Sequence, residues 1–157
     1  MDNVRVVPTD NQSGLEIAGA DAPLTRIAFA FGRIIVGGFY LYSGLDNVVN
    51  AGAKVGYAAS KGVPMPQAAV LLSGLLLLAG GLSILTGYRP RAGVAGLALF
   101  FLPVTFAMHD FWNVQDPMMR MAEMRSFESN MALMGSALMF LAIRTPWPLS
   151  LGGPSRG

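Results

Sequence analysis

The only histidine of the chain lies among acidic residues, a tryptophan and a run of methionines, in the segment from Phe106 to Arg125. Histidine is the side chain whose ordinary pKa lies near neutrality, so His109 is the natural proton carrier. Four carboxylates follow it as candidates to orient its ring: Asp110, Asp116, Glu123 and Glu128. We therefore predict a proton-transfer site that contains His109 and Asp110. The alternative is a histidine at a helix end that bonds to backbone or lipid.

Arg33 is the second candidate for a catalytic or binding residue, because it lies inside the apolar segment that begins at Leu24. A charge inside a membrane is costly and marks a functional site. Arg33 would bind a ligand carbonyl, a lipid phosphate or a partner's carboxylate, and Tyr40, Trp112 and Asn130 are predicted to line the same kind of pocket. Alternatively, Arg33 reaches back to the membrane surface. An aromatic belt and an interhelical hydrogen bond explain Trp112 and Asn130 equally well.

Three methionines, Met118, Met121 and Met124, are spaced three residues apart. Thioethers suit Cu(I), and this spacing favours one helical face that His109 could join. Methionine is also the usual flexible filler of irregular packing, and this is the stronger interpretation. A lone histidine makes no strong metal site, so no metal is predicted.

The composition indicates a membrane protein. Of 157 residues, 53% are hydrophobic and 13% are charged, whereas a soluble domain carries about 25% charged residues. The net charge of +2 provides no basic stripe for nucleic acid. With no cysteine, the chain has no disulfide, thiolate metal ligand or thiol nucleophile.

The pattern of apolar segments predicts an all-α fold, a four-helix transmembrane bundle. The predicted spans are about 24–47, 67–87, 91–109 and 127–144. They make up a transmembrane domain over 24–147, between a polar N-terminal tail (1–23) and a C-terminal tail (148–157). The segments 46–66 and 109–128 form an outer polar cap of loops with a short interfacial helix.

Four spans place both termini on one side of the membrane. The larger share of the 11 lysines and arginines lies on that side, which predicts cytoplasmic termini. Small residues predict close helix contacts in two of the spans. In the first span Gly37 and Gly44 are seven apart, and Ser73, Gly80 and Gly87 have the same spacing around the second.

Four parts of the chain carry short motifs. They are Gly32-Arg33 and Ser43-Gly44, the segment from Gly62 to Pro66, Gly80-Gly81 with Gly87, and the segment from His109 to Trp112. With four apolar spans, this pattern resembles the DoxX family of small four-helix membrane proteins. The resemblance runs from about Ile27 to Ile143.

The resemblance implies a quinone-linked oxidoreductase subunit, or an accessory component of a membrane redox complex, in a prokaryotic inner membrane. The implied cofactor is a quinone. The implied partners are the lipid bilayer and other subunits of the complex or further copies of the chain. Whether the protein is itself an enzyme stays open. A non-catalytic scaffold or assembly subunit is the alternative, and Cu(I) handling is a weaker one.

The chain departs from the family pattern at two places. Family members often carry a lysine after Ser-Gly and an acid in the second helix. This chain has Leu45-Asp46-Asn47 at the first place, and only uncharged residues in the second span. The resemblance therefore implies no mechanism that uses that charged pair.

Overall fold

The structure, a computed structural model, describes residues 23–151. The predicted all-α bundle is confirmed. Its helices are α1 (Pro23–Val49), α2 (Ala51–Ser60), α3 (Pro66–Thr86), α4 (Pro90–Met108) and α5 (Pro117–Met139), with 3-10 turns at Phe111–Asn113 and Phe140–Ala142. Residues 1–22 of the predicted N-terminal tail and residues 152–157 of the predicted C-terminal tail lie outside the described residues.

The helix ends follow from the residues that stand there. Pro66, Pro90 and Pro117 occupy the first turns of α3, α4 and α5, where the missing N–H of proline costs no hydrogen bond. Gly87 ends α3 with φ of 68°, a left-handed conformation that suits glycine. Asp116 caps α5, because its carboxylate accepts a 2.8 Å hydrogen bond from a backbone N–H of the first turn.

Three described segments are long and apolar enough to cross a membrane: Pro23–Val49, Pro66–Thr86 and Pro90–Asn113. The fourth long helix, α5, does not meet this criterion, because its first half carries charges such as Arg120 and Glu123. It begins at Pro117 and ends at Met139, whereas the predicted span runs from 127 to 144. The first half of α5 therefore belongs to the polar cap.

The short helix of the cap is α2. It forms ten residues of regular helix, as the predicted short interfacial helix. Packing stabilises it, because Ala58 is buried and α2 lies against α3. Packing of one apolar side stabilises a helix that is too short to persist alone in water.

Glycines bring α1 and α3 into backbone contact. Gly37 and Gly44 of α1 face Gly81 and Gly74 of α3, and a Cβ built on Gly81 would lie 2.9 Å from the carbonyl oxygen of Gly37. The predicted Gly37 and Gly44 contact face is present. In lipid, such close approach is the main source of attraction between helices, because the hydrophobic effect does not distinguish protein from hydrocarbon.

The second predicted contact face, of Ser73, Gly80 and Gly87, is present in part, at Gly80. Gly80 faces α4, where a Cβ would lie 2.5 Å from Cγ of Leu97, and Gly87 lies in the turn after α3. Successive residues of a helix point about 100° apart. Gly81 can therefore meet α1 while its neighbour Gly80 meets α4, which places α3 between the two helices.

Arg33 binds the C-terminal end of α3. Its guanidinium is 3% exposed and donates to the carbonyl oxygens of Ile84 (3.0 Å), Leu85 (2.6 Å) and Pro148 (2.6 Å). The indole of Trp147 also lies over it, 5.3 Å from ring centroid to Cζ. The last carbonyls of a helix have no partner within the helix. Arg33 supplies that partner. The alternative that it also reaches back to the membrane surface stays a prediction.

We expect Gly81→Ala to lower the free energy of unfolding by about 1–3 kcal/mol, because the added methyl group would meet the backbone of α1. Gly38→Ala is the control, since a Cβ on Gly38 meets nothing within 4 Å. Thermal unfolding in detergent would measure both variants. Equal stability of the two would contradict the glycine contact.

We expect Arg33→Lys to destabilise the protein by about 1.5–3 kcal/mol, because one ammonium group cannot reach carbonyls that three guanidinium nitrogens now serve. Arg26→Lys, at an exposed position of the same helix, should change stability by less than about 0.5 kcal/mol. Chemical unfolding in mixed micelles would compare them. A tolerant Arg33→Lys would show that the clamp contributes little.

Candidate functional site

Side chains from three parts of the chain converge on the carboxylate of Glu123. The hydroxyl of Tyr57 donates to its Oε1 (2.6 Å), Nζ of Lys61 lies 3.4 Å from the same oxygen, and Nδ1 of His109 lies 2.8 Å from its Oε2. Lys61 also binds Oδ1 of Asp110 at 2.7 Å. We call these five residues the polar cluster. It joins α2, the end of α4 and the first half of α5.

Local structure places each member of the polar cluster. Tyr57 and Lys61 are four residues apart, so they share one face at the end of α2. His109 follows the last residue of α4, and its backbone N–H still bonds to the carbonyl of Thr105 at 3.2 Å. Glu123 lies two turns into α5. His109 is therefore held at the C-terminal end of α4, with its ring against the side of α5.

The electrostatics of the polar cluster divide the roles of its members. Burial, and then the hydrogen bond to Glu123, raise the pKa of Tyr57 to about 12. Burial alone would raise the pKa of Glu123, but the hydrogen bonds from Tyr57 and His109 and the charge of Lys61 outweigh it and lower that pKa. At neutral pH, Tyr57 is a hydroxyl donor and Glu123 is an anion.

A cavity of about 520 Å³ lies between α2, α3 and α4 next to the polar cluster. We call it the first cavity. Its wall is mainly apolar and includes Val70, Leu76, Phe100, Val104 and Ala107. At one end it meets polar side chains, which are Asn47, Lys54, Tyr57, Ser73 and His109. Such a cavity suits a ligand with an apolar body and a polar head.

The mouth of the first cavity faces the side of the bundle. Leu72 and Leu99 line the cavity, yet they are 55% and 62% exposed. Exposed leucines on the flank of a membrane bundle contact hydrocarbon. A ligand dissolved in the bilayer would therefore enter from the side.

A second cavity, of about 340 Å³, lies between α1, α4 and α5. His109 lines this cavity as well as the first. Asn130, which was predicted to line a pocket, is also in its wall. The imidazole thus stands between two spaces of different character.

The other predicted site residues are placed differently. Tyr40 is fully buried, and its hydroxyl donates to the carbonyl oxygen of Leu133 at 2.6 Å, which ties α1 to α5. Trp112 lies in an aromatic cluster, with its ring centroid 6.0 Å from that of Phe127. Asp110 is in the polar cluster beside His109. Tyr40 and Trp112 line neither the first nor the second cavity.

Arg33 and His109 lie at opposite ends of the bundle. Arg33 binds the last carbonyls of α3, and α4 starts just after them and runs 19 residues to His109, which is a distance of about 28 Å. The three guanidinium nitrogens each have a carbonyl partner. Ligand binding by Arg33 stays a prediction, and it would take place at a site separate from the polar cluster.

Tyr57 and Lys61 were not among the predicted site residues. Their spacing of four in a segment with helical potential was the available signal, because it puts a hydroxyl and an ammonium on one face. The chain offered four candidate carboxylates to orient His109. The structure pairs the ring with Glu123, the third of these four carboxylates in order along the chain.

The methionines of α5 lie mostly on the surface. Met118 is 82% exposed, and Met121 and Met124 are also exposed. Within residues 23–151, no three or more histidine, aspartate or glutamate side chains form a group that could hold a metal ion. The Cu(I) interpretation stays a prediction that rests on the spacing of the thioethers.

These features define a multi-pass membrane protein with a polar cluster at one end of a helical bundle. The chain belongs to the DoxX family, because a model of that family matches residues 28–110, which is more than half of its length. No curated protein and no solved structure matches it. The matched range includes Tyr57, Lys61, His109 and Asp110 but ends before Glu123. The polar cluster therefore joins the matched range to α5.

We expect the stability that Glu123 provides to be lost in acid. Its folded-state pKa is lowered, so its contribution is present above the ordinary value near 4.5 and disappears as the pH falls through the lowered folded value. Glu123→Gln should lower the free energy of unfolding at pH 7 by about 1.5–3 kcal/mol. The difference from the unsubstituted protein should shrink in acid.

Glu128→Gln is the matched control for this prediction, because Glu128 is an exposed carboxylate on the same helix. Unfolding followed by tryptophan fluorescence at several pH values would measure all three proteins. A Glu123→Gln variant as stable as Glu128→Gln at pH 7 would contradict the role of the polar cluster.

Proposed function

We propose that this protein is a quinone-binding subunit of a membrane redox complex. The quinone would lie in the first cavity, with its headgroup at the polar end beside Tyr57 and His109. The observation that carries this proposal is the first cavity itself, which is apolar along its wall, polar at one end and open toward the lipid. Quinones are lipid-soluble molecules with this division of polar and apolar parts.

The size and chemistry of the first cavity fit a quinone headgroup. A volume of about 520 Å³ falls in the usual range of small-molecule sites, about 300–1,000 Å³. A quinone carbonyl is a hydrogen-bond acceptor, and the imidazole of His109 would donate to it from Nε2 when the ring carries both protons, because Nδ1 is bonded to Glu123. When bound, a quinone supplies a redox couple that exchanges protons together with electrons.

Each residue of the polar cluster has a distinct task under this proposal. Glu123 binds Nδ1 of His109, which leaves Nε2 as the ring nitrogen that can hold or release a proton toward the headgroup. Tyr57 stays protonated and donates its hydroxyl proton to Glu123, so it holds that carboxylate beside His109. Lys61 fixes Asp110 and Glu123 in place through its ammonium group. The apolar wall keeps bulk water from the headgroup.

We place the electron carrier in a partner subunit. The 157 residues contain no cysteine and one histidine, which leaves few ligands for a haem or an iron-sulfur cluster. By the family resemblance the membrane would be a prokaryotic inner membrane, and by the charge distribution described above both termini would be cytoplasmic. The polar cluster would then face the outer side.

Filling the first cavity should block quinone binding. We expect Ala107→Trp to weaken binding of a short-chain ubiquinone at least tenfold, because the indole would occupy space that the ligand needs, and a loss of about 1.4 kcal/mol is sufficient for that factor. Ala95→Trp is the control, since Ala95 is likewise an exposed alanine of α4 but does not line the first cavity.

Native mass spectrometry and crosslinking with a photoreactive quinone would measure this binding. Crosslinks in α2, α3 or α4 that Ala107→Trp abolishes and Ala95→Trp preserves would support the proposal. Equal binding by both variants, or crosslinks confined to the Arg33 end, would contradict it.

A second candidate function is an assembly subunit without catalysis. The observation that favours it is the polar cap, where the first half of α5 exposes the charged residues Arg120, Arg125 and Glu128. A partner subunit or another copy of the chain would pair with these charges through complementary charges of its own. Native mass spectrometry of the complex released from membranes would test this. A monomer that carries only lipid would contradict it.

A further inference from the structure

The second cavity contrasts with the first, because polar side chains form much of its wall. Four of them come from α5 and one from α1: Arg125, Ser126, Ser129, Asn130 and Ser43. The apolar part of the wall is formed by Phe39, Leu77, Phe100, Phe101 and Leu133. We call this space the polar groove. It lies in the half of the bundle that also holds His109.

Polar side chains of the groove lack partners in the protein. Ser126 donates to the carbonyl of Ala122 at 3.1 Å, but among residues 23–151 neither Ser129 nor Asn130 makes a side-chain hydrogen bond. In contact with hydrocarbon, an amide without a partner would cost several kcal/mol. A space of about 340 Å³ has room for several water molecules, which would satisfy these groups.

His109 connects the polar groove with the first cavity. Only His109 and Phe100 are in the walls of both, and of these His109 alone can carry a proton. The charged and titratable groups around the imidazole are Glu123 and Arg125 from α5, Tyr57 and Lys61 from α2, and Asp110 beside it. Glu123 makes the direct contact, so the ring stays in the wall that separates the two spaces.

We propose that the polar groove is a water-filled path through which His109 exchanges protons with the aqueous phase. This inference rests on the proposed function, in which the other side of His109 meets the headgroup of a quinone. The first cavity then admits the ligand from lipid, and the groove admits water to the histidine from another direction. A proton can reach the site while the apolar wall of the first cavity stays dry.

Thiol labelling tests the hydration of the groove directly, because the chain contains no cysteine. Ser129→Cys places a thiol in the groove wall. Ala132→Cys places one at an exposed position of the same helix, outside that wall. In lipid nanodiscs, we expect a charged, water-soluble methanethiosulfonate to modify Ser129→Cys at least about tenfold faster, because thiolates form only where water reaches. Equal rates, or an unreactive Ser129→Cys, would overturn the proposal.

Hydrogen-deuterium exchange at the imidazole C2 position tests the link to His109. A single histidine makes the measurement specific for this residue. We expect Ser129→Leu combined with Asn130→Leu to slow the exchange roughly tenfold, because the leucines would close the groove to water. Ala132→Leu is the control for folding and should not slow it. Exchange that is unaffected by the leucines, or that Ala107→Trp slows instead, would overturn the proposal.

Ubiquinone binding to the same proteins separates this inference from the proposed function. Binding that survives closure of the groove, together with slowed exchange at His109, supports both. Binding with an unreactive Ser129→Cys overturns the water path alone. A reactive Ser129→Cys in a protein that binds no ubiquinone contradicts the proposed function and leaves the groove as a water path to His109.

Discussion

The arrangement of the polar cap depends on the hydrogen bonds and the ion pair that the carboxylate of Glu123 makes. This carboxylate is 16% exposed and receives Tyr57, Lys61 and His109. A charge taken out of water is costly unless its partners stay in place, and removal of one partner leaves the charge uncompensated. The position of α2, the end of α4 and the start of α5 are therefore linked. The same contacts that stabilise the cap also orient the imidazole.

The two ends of the bundle are stabilised by different kinds of contact. At one end, Arg33 donates hydrogen bonds to the last carbonyls of α3 and to the segment that follows α5. At the other, ionised and neutral side chains bond mainly to one another and hold a histidine between two cavities. An arginine inside an apolar segment is thus accounted for by helix geometry. The two cavities that could hold a ligand or water lie at the other end of the bundle, next to Glu123 and His109.

The glycine contact between α1 and α3 has a consequence for the cavities. Glycines let one pair of helices approach to backbone contact, whereas helices that meet through larger side chains stay further apart. α1 and α3 meet through four glycines, while the gaps beside α2 and between α1 and α5 hold the first cavity and the polar groove. Close packing and open space are therefore parts of one arrangement.

The sequence alone determined the membrane class, the all-helical bundle and the family resemblance, and it singled out His109 as a candidate site residue. These follow from composition, from runs of apolar residues and from short motifs, which are local properties of the chain. Only the tertiary structure decided that Glu123 binds His109, that Tyr57 and Lys61 join them, and that Arg33 lies at the other end. Those contacts join residues up to 115 positions apart. Helix periodicity predicts which residues share a face, but which faces meet depends on how the helices pack.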